Sequence, residues 1–110
     1  MKFEIEVKPL SVNEAWRGKR YKTDKYKSFE NACLWLMPNL EISKTAKLKV
    51  SLVFSFSNVN ADIDNPTKMV LDCLQKKYEF NDRNIYELEI KKQIVKKGFE
   101  KIEIAIFEIA

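Results

Sequence analysis

Three aspartates and a lysine fall within the eleven residues Asp62-Ile63-Asp64-Asn65-Pro66-Thr67-Lys68-Met69-Val70-Leu71-Asp72. Asp62 and Asp64 stand two apart, so an extended chain would project both carboxylates from one side. Asn65-Pro66 announces a helix, because Asn is a strong cap and Pro at the first helical position gives up an N–H that would lack a partner anyway. In that helix Lys68 and Asp72 share a face, while Met69, Val70, Leu71, Cys73 and Leu74 fall on the other side. Docking through the apolar side leaves Lys68 and Asp72 turned toward Asp62 and Asp64, and the helix N-terminus adds donors suited to a phosphate. Asp82, in Glu79-Phe80-Asn81-Asp82, brings a fourth aspartate. Carboxylates that converge repel one another unless a cation sits between them. Magnesium or manganese, hard ions that prefer oxygen ligands, are the natural occupants.

Each half of this pattern also has an ordinary explanation. Asp-Ile-Asp before a helix is often a solvated turn, and Lys68/Asp72 at four-residue spacing is often a surface ion pair worth a few tenths of a kcal/mol. A helix–loop–helix calcium site is excluded, since Thr67 stands where that loop needs Gly and Cys73 where it needs a bidentate Glu.

The elements that must position these groups follow from periodicity. Phe3, Ile5 and Val7 alternate with Glu4, Glu6 and Lys8 as in a strand with one buried face, closed by Pro9. Phe29, Ala32, Cys33 and Leu36 recur at helical spacing between Ser28 and Met37, and Pro38 stops that helix; Trp35 and Met37 lie off its stripe. Leu48, Val50, Leu52, Phe54 and Phe56 mark a long strand that runs through residues 57–61 into the aspartates. A strand end handing over to a helix start is a usual address for a catalytic site. Residues 86–95 and 99–109 give two closing strands joined by a turn at Lys96-Lys97-Gly98. Two helices against about four strands, the closing pair antiparallel, predict a two-layer α+β domain with a mixed or antiparallel sheet.

At 110 residues the chain makes one domain, residues 1–110. Its 45% hydrophobic and 33% charged content is that of a soluble globular protein. No apolar run suits a membrane span and Met1–Glu6 lacks a signal-peptide core, so a cytoplasmic location is expected. With no histidine in the chain, Ser-His and Cys-His nucleophiles, imidazole bases and His-based zinc sites are all excluded. Cys33 and Cys73, both on predicted apolar faces, are expected as free buried thiols. Gly18 and Gly98 are the only glycines, too few for a phosphate-cradling loop, so no nucleotide cofactor is expected.

Residues 1–49 carry 11 basic and 6 acidic side chains, against 9 and 10 in residues 50–110. A basic front end beside an acidic centre suits a polyanion bound around a metal. The basic residues concentrate between positions 16 and 27, where no periodicity survives. There Arg17, Lys19, Arg20, Lys22, Lys25 and Lys27 interleave with Trp16, Tyr21 and Tyr26. Bases of this kind neutralise phosphates and aromatics stack on exposed nucleobases, whereas a solvated loop with its rings packed on the core is the plainer alternative.

The run DIDNPTKMVLDCLQKKYEFNDRNIYELEIKK resembles the signature of the RusA family of Holliday junction resolvases. The likeness is carried by Asp-Xaa-Asp-Asn, the Lys four residues after the second Asp, the following Asp-Xaa-Leu, and the Asn81-Asp82 pair where the family commonly has two aspartates. KPLSVNEAWRG is similar to the family's opening, which adds Asn13 to the DNA-binding candidates. The resemblance implies a RusA-like domain and a crossover junction endodeoxyribonuclease acting on branched DNA. Asp62, Asp64, Asp72 and Asp82 would hold magnesium, with manganese as a substitute, and Asp62, Asp64, Lys68 and Asp82 would be catalytic. A homodimer is also expected: a four-way junction is nearly two-fold symmetric, the chain has one aspartate cluster, and a C₂ pair would cover leftover apolar surface such as Trp35, Met37 or the outer face of residues 99–109. Two rivals remain: a non-catalytic DNA-binding module, favoured by Asn81 in place of an acid, and a nucleotide phosphohydrolase.

If residues 16–27 grip DNA, changing Arg17, Lys19 and Arg20 together to Ala weakens junction binding and flattens its salt dependence. Each lost phosphate contact lowers the slope of log affinity against log salt by about one. An unchanged slope moves the DNA site to Lys91, Lys92, Lys96 and Lys97.

Overall fold

A computed structural model describes residues 1–9, 16–17, 21–22, 24–64 and 66–109. Its elements are β1 (Lys2–Ile5), β2 (Trp16–Arg17), β3 (Tyr21–Lys22), α1 (Asp24–Leu36), β4 (Lys47–Phe56), α2 (Thr67–Tyr78), a 3₁₀ turn (Asp82–Asn84), β5 (Ile85–Ile94) and β6 (Lys101–Ile109). Four strands form one sheet in the order β1-β6-β4-β5, with β6 antiparallel to β1 and β4, and β5 parallel to β4. The α+β class and the mixed four-stranded sheet with two helices agree with the sequence expectation.

The closing strands do not. β5 and β6 run in opposite directions, but β4 lies between them rather than a shared hydrogen-bond ladder. Parallel neighbours need a crossover of a dozen or more residues, which α2 supplies between β4 and β5. The segment after β5 then steps over the end of β4, roughly two strand spacings or 9.6 Å. Gly98 takes a positive φ of 97° there, and the Phe99 N–H closes the turn on the Lys96 carbonyl at 3.0 Å. The predicted turn is thus present, as a bridge and not a hairpin.

The apolar positions of β4, Leu48, Val50, Leu52 and Phe54, are fully buried. They meet Ile102, Ile104 and Ile106 of β6, Tyr26, Phe29 and Cys33 of α1, and Met69, Val70, Cys73 and Leu74 of α2 in one core. The helices are tied together at their polar margins. Lys76 pairs with Glu30 at 2.9 Å, Lys77 donates to the Leu34 carbonyl at 3.0 Å, and the Tyr78 hydroxyl donates to the Pro38 carbonyl at 2.7 Å. Lys77 thereby satisfies a carbonyl in the last turn of α1 that has no partner within the helix.

Four further departures concern the first half of the chain. The helix expected from Ser28 begins at Asp24, and the stretch expected to be irregular holds β2 and β3, paired Trp16 to Lys22 and Arg17 to Tyr21. A two-residue ribbon is too short to leave a periodic trace. Tyr26 is buried in the core and not presented to a ligand. Met37 also joins the core, while Trp35 is 86% exposed: the turn past α1 carries Met37 back inward, its N–H on the Cys33 carbonyl at 2.9 Å. Both cysteines are free and buried, as expected. None of the helices among the described residues is long and apolar enough to cross a membrane.

Because Phe54 is fully buried in this core, Phe54→Ala should cost about 3–5 kcal/mol of unfolding free energy, read from the urea midpoint.

Candidate carboxylate active site

Past Phe56 the chain leaves the sheet and is held by short-range bonds. Asn58 accepts from the Asn60 N–H through its side chain at 2.9 Å and from the Ala61 N–H through its carbonyl at 3.1 Å. The strongest restraint comes from the neighbouring strand. Lys92 on β5 donates its ammonium to the carbonyls of Val59 at 3.0 Å and Ala61 at 2.7 Å. Charge-assisted bonds of this kind are about twice as strong as neutral ones. They fix the loop one residue before Asp62.

The backbone then bends at Ile63 and Asp64 instead of running extended. The two-residue alternation of a strand therefore does not apply to Asp62 and Asp64. Thr67 produces the bend: its N–H bonds the Asp64 carbonyl and its hydroxyl the Ile63 carbonyl, both at 3.2 Å. Asp62 and Asp64 both lie at the surface. Asn65, expected as the cap, lies outside the described residues. Pro66 occupies the cap position of α2 with helical φ and ψ of −82° and −10°.

On α2 the expected face is present. Lys68 and Asp72 approach to 3.9 Å, with side chains 76% and 33% exposed. An ion pair so open to water is weak, so Lys68 can exchange Asp72 for a phosphate at little cost. Asp72 has a second partner that the sequence pattern did not reveal: it accepts a hydrogen bond from the buried Tyr26 hydroxyl. Burial first, and then the Asp72 charge, raise the Tyr26 pKa well above its ordinary value. The phenol therefore stays protonated and keeps donating.

Asp82 stands apart. Its N–H donates to the Gln75 side chain at 3.1 Å, near the C-terminal end of α2, and Gln75 lies about 12 Å along the helix from Thr67. Asp82 also precedes β5, whose first residue pairs with Leu48 at the start of β4, whereas Asp62 follows the end of β4. Asn81 acts locally, its side-chain oxygen capping the 3₁₀ turn by accepting from the Arg83 N–H at 3.0 Å, as Asn commonly does in turns.

Among the described residues, no three carboxylates or thiols gather within reach of one ion. What the loop offers is the pair Asp62 and Asp64, all oxygen, with no imidazole in the chain and both thiols buried. That set fits magnesium, which keeps several waters and takes one or two protein carboxylates plus substrate phosphate, and it does not fit zinc.

Of the DNA-binding candidates, Asn13, Lys19 and Arg20 lie outside the described residues. Trp16, Arg17 and Lys22 belong to the β2–β3 ribbon, and Lys25 and Lys27 are exposed on the first turn of α1. Lys92, a fallback phosphate contact by sequence, is instead the strap on the loop. A conspicuous charge run hides such a residue, because nothing in KKQIVKK marks one lysine as bonded back onto the chain's own backbone.

If the strap positions the carboxylates, Lys92→Met should speed amide hydrogen exchange at residues 59–63 and lower the cleavage rate about tenfold, with affinity for DNA changed far less. Unchanged exchange in that loop would mean that Lys92 has no positioning role.

A comparison with individually curated proteins gave no match. The model of the family described as endodeoxyribonuclease RusA, by contrast, matches residues 6–107, nearly the full chain, taking in both helices, β4, β5, most of β6 and the Asp62–Asp64 loop but not β1. The chain belongs to the RusA family of junction-resolving endodeoxyribonucleases, nucleases that act on DNA.

Proposed function

We propose that this chain is a magnesium-dependent, structure-selective endonuclease that resolves four-way DNA junctions by paired phosphodiester cuts in recombination and repair. The observation that carries the reading is the placement of the Asp62 and Asp64 carboxylates on a loop strapped by Lys92, directly ahead of the helix bearing Lys68.

Asp62 and Asp64 would hold magnesium, and manganese could replace it. The bound ion supplies polarisation of the scissile phosphate and a lowered pKa for an attacking water. Lys68 meets charge developing on the phosphoryl oxygens, a role its exposed ammonium can take by leaving Asp72. Asp72, held by Tyr26, keeps Lys68 over the site between turnovers. Asp82, near the far end of α2, lies outside this set within one chain. Lacking histidine, the protein has no side chain whose ordinary pKa lies near neutrality. Proton transfer therefore falls to water and carboxylate.

DNA contacts in this reading come from the basic ribbon and the start of α1, from Trp16 to Lys27. The active form is a homodimer, since two opposed strands must be cut and each chain carries one Asp62–Asp64 loop. No nucleotide cofactor takes part.

On a synthetic four-way junction with magnesium, wild type should make symmetric paired cuts that a chelator stops, and a linear duplex should stay intact. Asp64→Asn should abolish cutting and leave junction binding in place. Dimers mixing wild-type and Asp64→Asn chains should nick one strand without resolving the junction. Cleavage by the variant within a few-fold of wild type would remove Asp64 from the mechanism.

A further inference from the structure

Beyond Ile94 the chain crosses the end of β4 to reach β6, and this crossing is pinned from several sides. The Val95 N–H bonds the Phe56 carbonyl at 2.8 Å, and the Phe99 N–H closes the turn on the Lys96 carbonyl at 3.0 Å. Glu100 ties the turn to the exit of β4, one carboxylate oxygen accepting from the Gly98 N–H at 2.7 Å and the other from the Ser57 hydroxyl at 2.8 Å. The Glu100 N–H, the Ser57 hydroxyl, the Gly98 N–H and the Lys8 charge hold this carboxyl below its ordinary range. The clamp therefore stays ionised at neutral pH.

The turn held this way presents a large ring to water, for Phe99 is 69% exposed. A single exposed apolar side chain needs no explanation. Phe99 differs in bordering a cleft of about 1150 Å³, which opens between the turn and the end of β1 with its continuation to Lys8. Gln93 donates to the Ser55 hydroxyl at 2.6 Å and Lys101 pairs with Glu4 at 2.9 Å along one side of it. Ser55 and Lys101 are register partners that alternate with the buried Phe54 and Ile102, so the cleft lies on the face of the sheet opposite the helices.

Charge decides what such a cleft can hold. Its lining carries Glu4, Glu6 and Glu100 against Lys8, Lys96 and Lys101, three of each sign, with Ile94 and Val95 adding apolar surface. A phosphate finds no net attraction inside. An uncharged heterocyclic ring can lie on Phe99 and leave its phosphates to the rim, where Lys96 and Lys97 are both exposed. The volume is ample for a nucleobase and its sugar.

Position supplies the source of that ring. Ser57, at the far end of the Glu100 clamp, stands five positions before Asp62. Cleft and carboxylate loop are thus at the same end of the sheet. Taking a base out of its stack costs least where it is already unpaired, which favours a branch point over continuous duplex.

We propose that the cleft beside Phe99 is a second DNA subsite, which receives one unpaired nucleobase on the Phe99 ring while Lys96 and Lys97 take the flanking phosphates. Stacking of this kind tolerates any base, since every base has a π face. It favours branched over fully paired DNA without reading sequence.

The origin of the base in a junction rests on the reading under Proposed function, but the subsite is tested without it. With magnesium chelated, fluorescence anisotropy should show a labelled single-stranded oligonucleotide binding to wild type. F99A should weaken that binding about tenfold or more while changing affinity for a linear duplex less than about twofold, and F99W should restore it. Circular dichroism of F99A should match wild type, as expected for an exposed side chain. K96A/K97A should lower the slope of log affinity for the oligonucleotide against log salt by about 1.4. Wild type that fails to hold the oligonucleotide, or F99A that holds it as tightly as wild type, overturns the subsite. So does a loss in F99A that is equal for duplex and oligonucleotide. Wild type that binds the oligonucleotide through Phe99 yet leaves a four-way junction uncut in magnesium removes the junction reading instead, and the subsite stands.

Discussion

Burial of β4 on both edges and along its apolar face is the constraint from which the rest of the fold follows. With β6 on one side and β5 on the other, every hydrogen-bonding edge of the strand is used. Its four fully buried apolar side chains each contribute about 1.5–3 kcal/mol relative to exposure. A strand held this way cannot slip by a residue, because one step would turn Leu48, Val50, Leu52 and Phe54 to the opposite face. The exit at Phe56 is therefore rigid, and the loop beyond it inherits a fixed origin. A nuclease site needs this, since catalytic geometry tolerates errors well under an ångström.

From that origin the site is assembled by polar contacts arriving from three elements. β5 sends Lys92 to the loop backbone, α1 sends Tyr26 to Asp72, and Thr67 at the head of α2 folds the chain around Asp64. None of these groups need touch DNA. Their common effect is to leave Asp62, Asp64 and Lys68 at the surface, where a phosphate would arrive, while their backbones are held. The charge balance follows the same logic, with acids on the loop and bases on the ribbon and α1.

Sequence pattern located the aspartate loop, the long strand, α2 and the two cysteines because each depends on local periodicity or on Pro66. Leu48 to Phe56 alternate over five apolar positions, and so regular a run has one sensible burial. What failed was adjacency. Period-two alternation in residues 85–94 and 101–109 identifies strands and faces but is silent about neighbours, and the short link with Gly98 suggested a hairpin that the α2 crossover forbids. Tyr26 and Lys92 were misplaced for a related reason. Each sits in a run of similar residues, and its structural role depends on a partner more than thirty positions away. The exposed faces of Asp62 and Asp64 escaped as well, since the bend depends on the Thr67 hydroxyl, a contact that spacing does not encode.

The two cysteines give this fold an internal gauge. Cys33 on α1 and Cys73 on α2 are buried to the last atom, and their mutual hydrogen bond together with burial holds the Cys33 thiol far from its reactive thiolate form. Thiol reagents act on accessible thiolate, so in the closed molecule neither sulfur is available. Labelling can proceed only when α1 lifts from α2. The pace at which a bulky maleimide enters thus counts those openings directly, and since Tyr26 rides on α1 and Asp72 on α2, each opening also breaks the contact that steadies the acid beside Lys68.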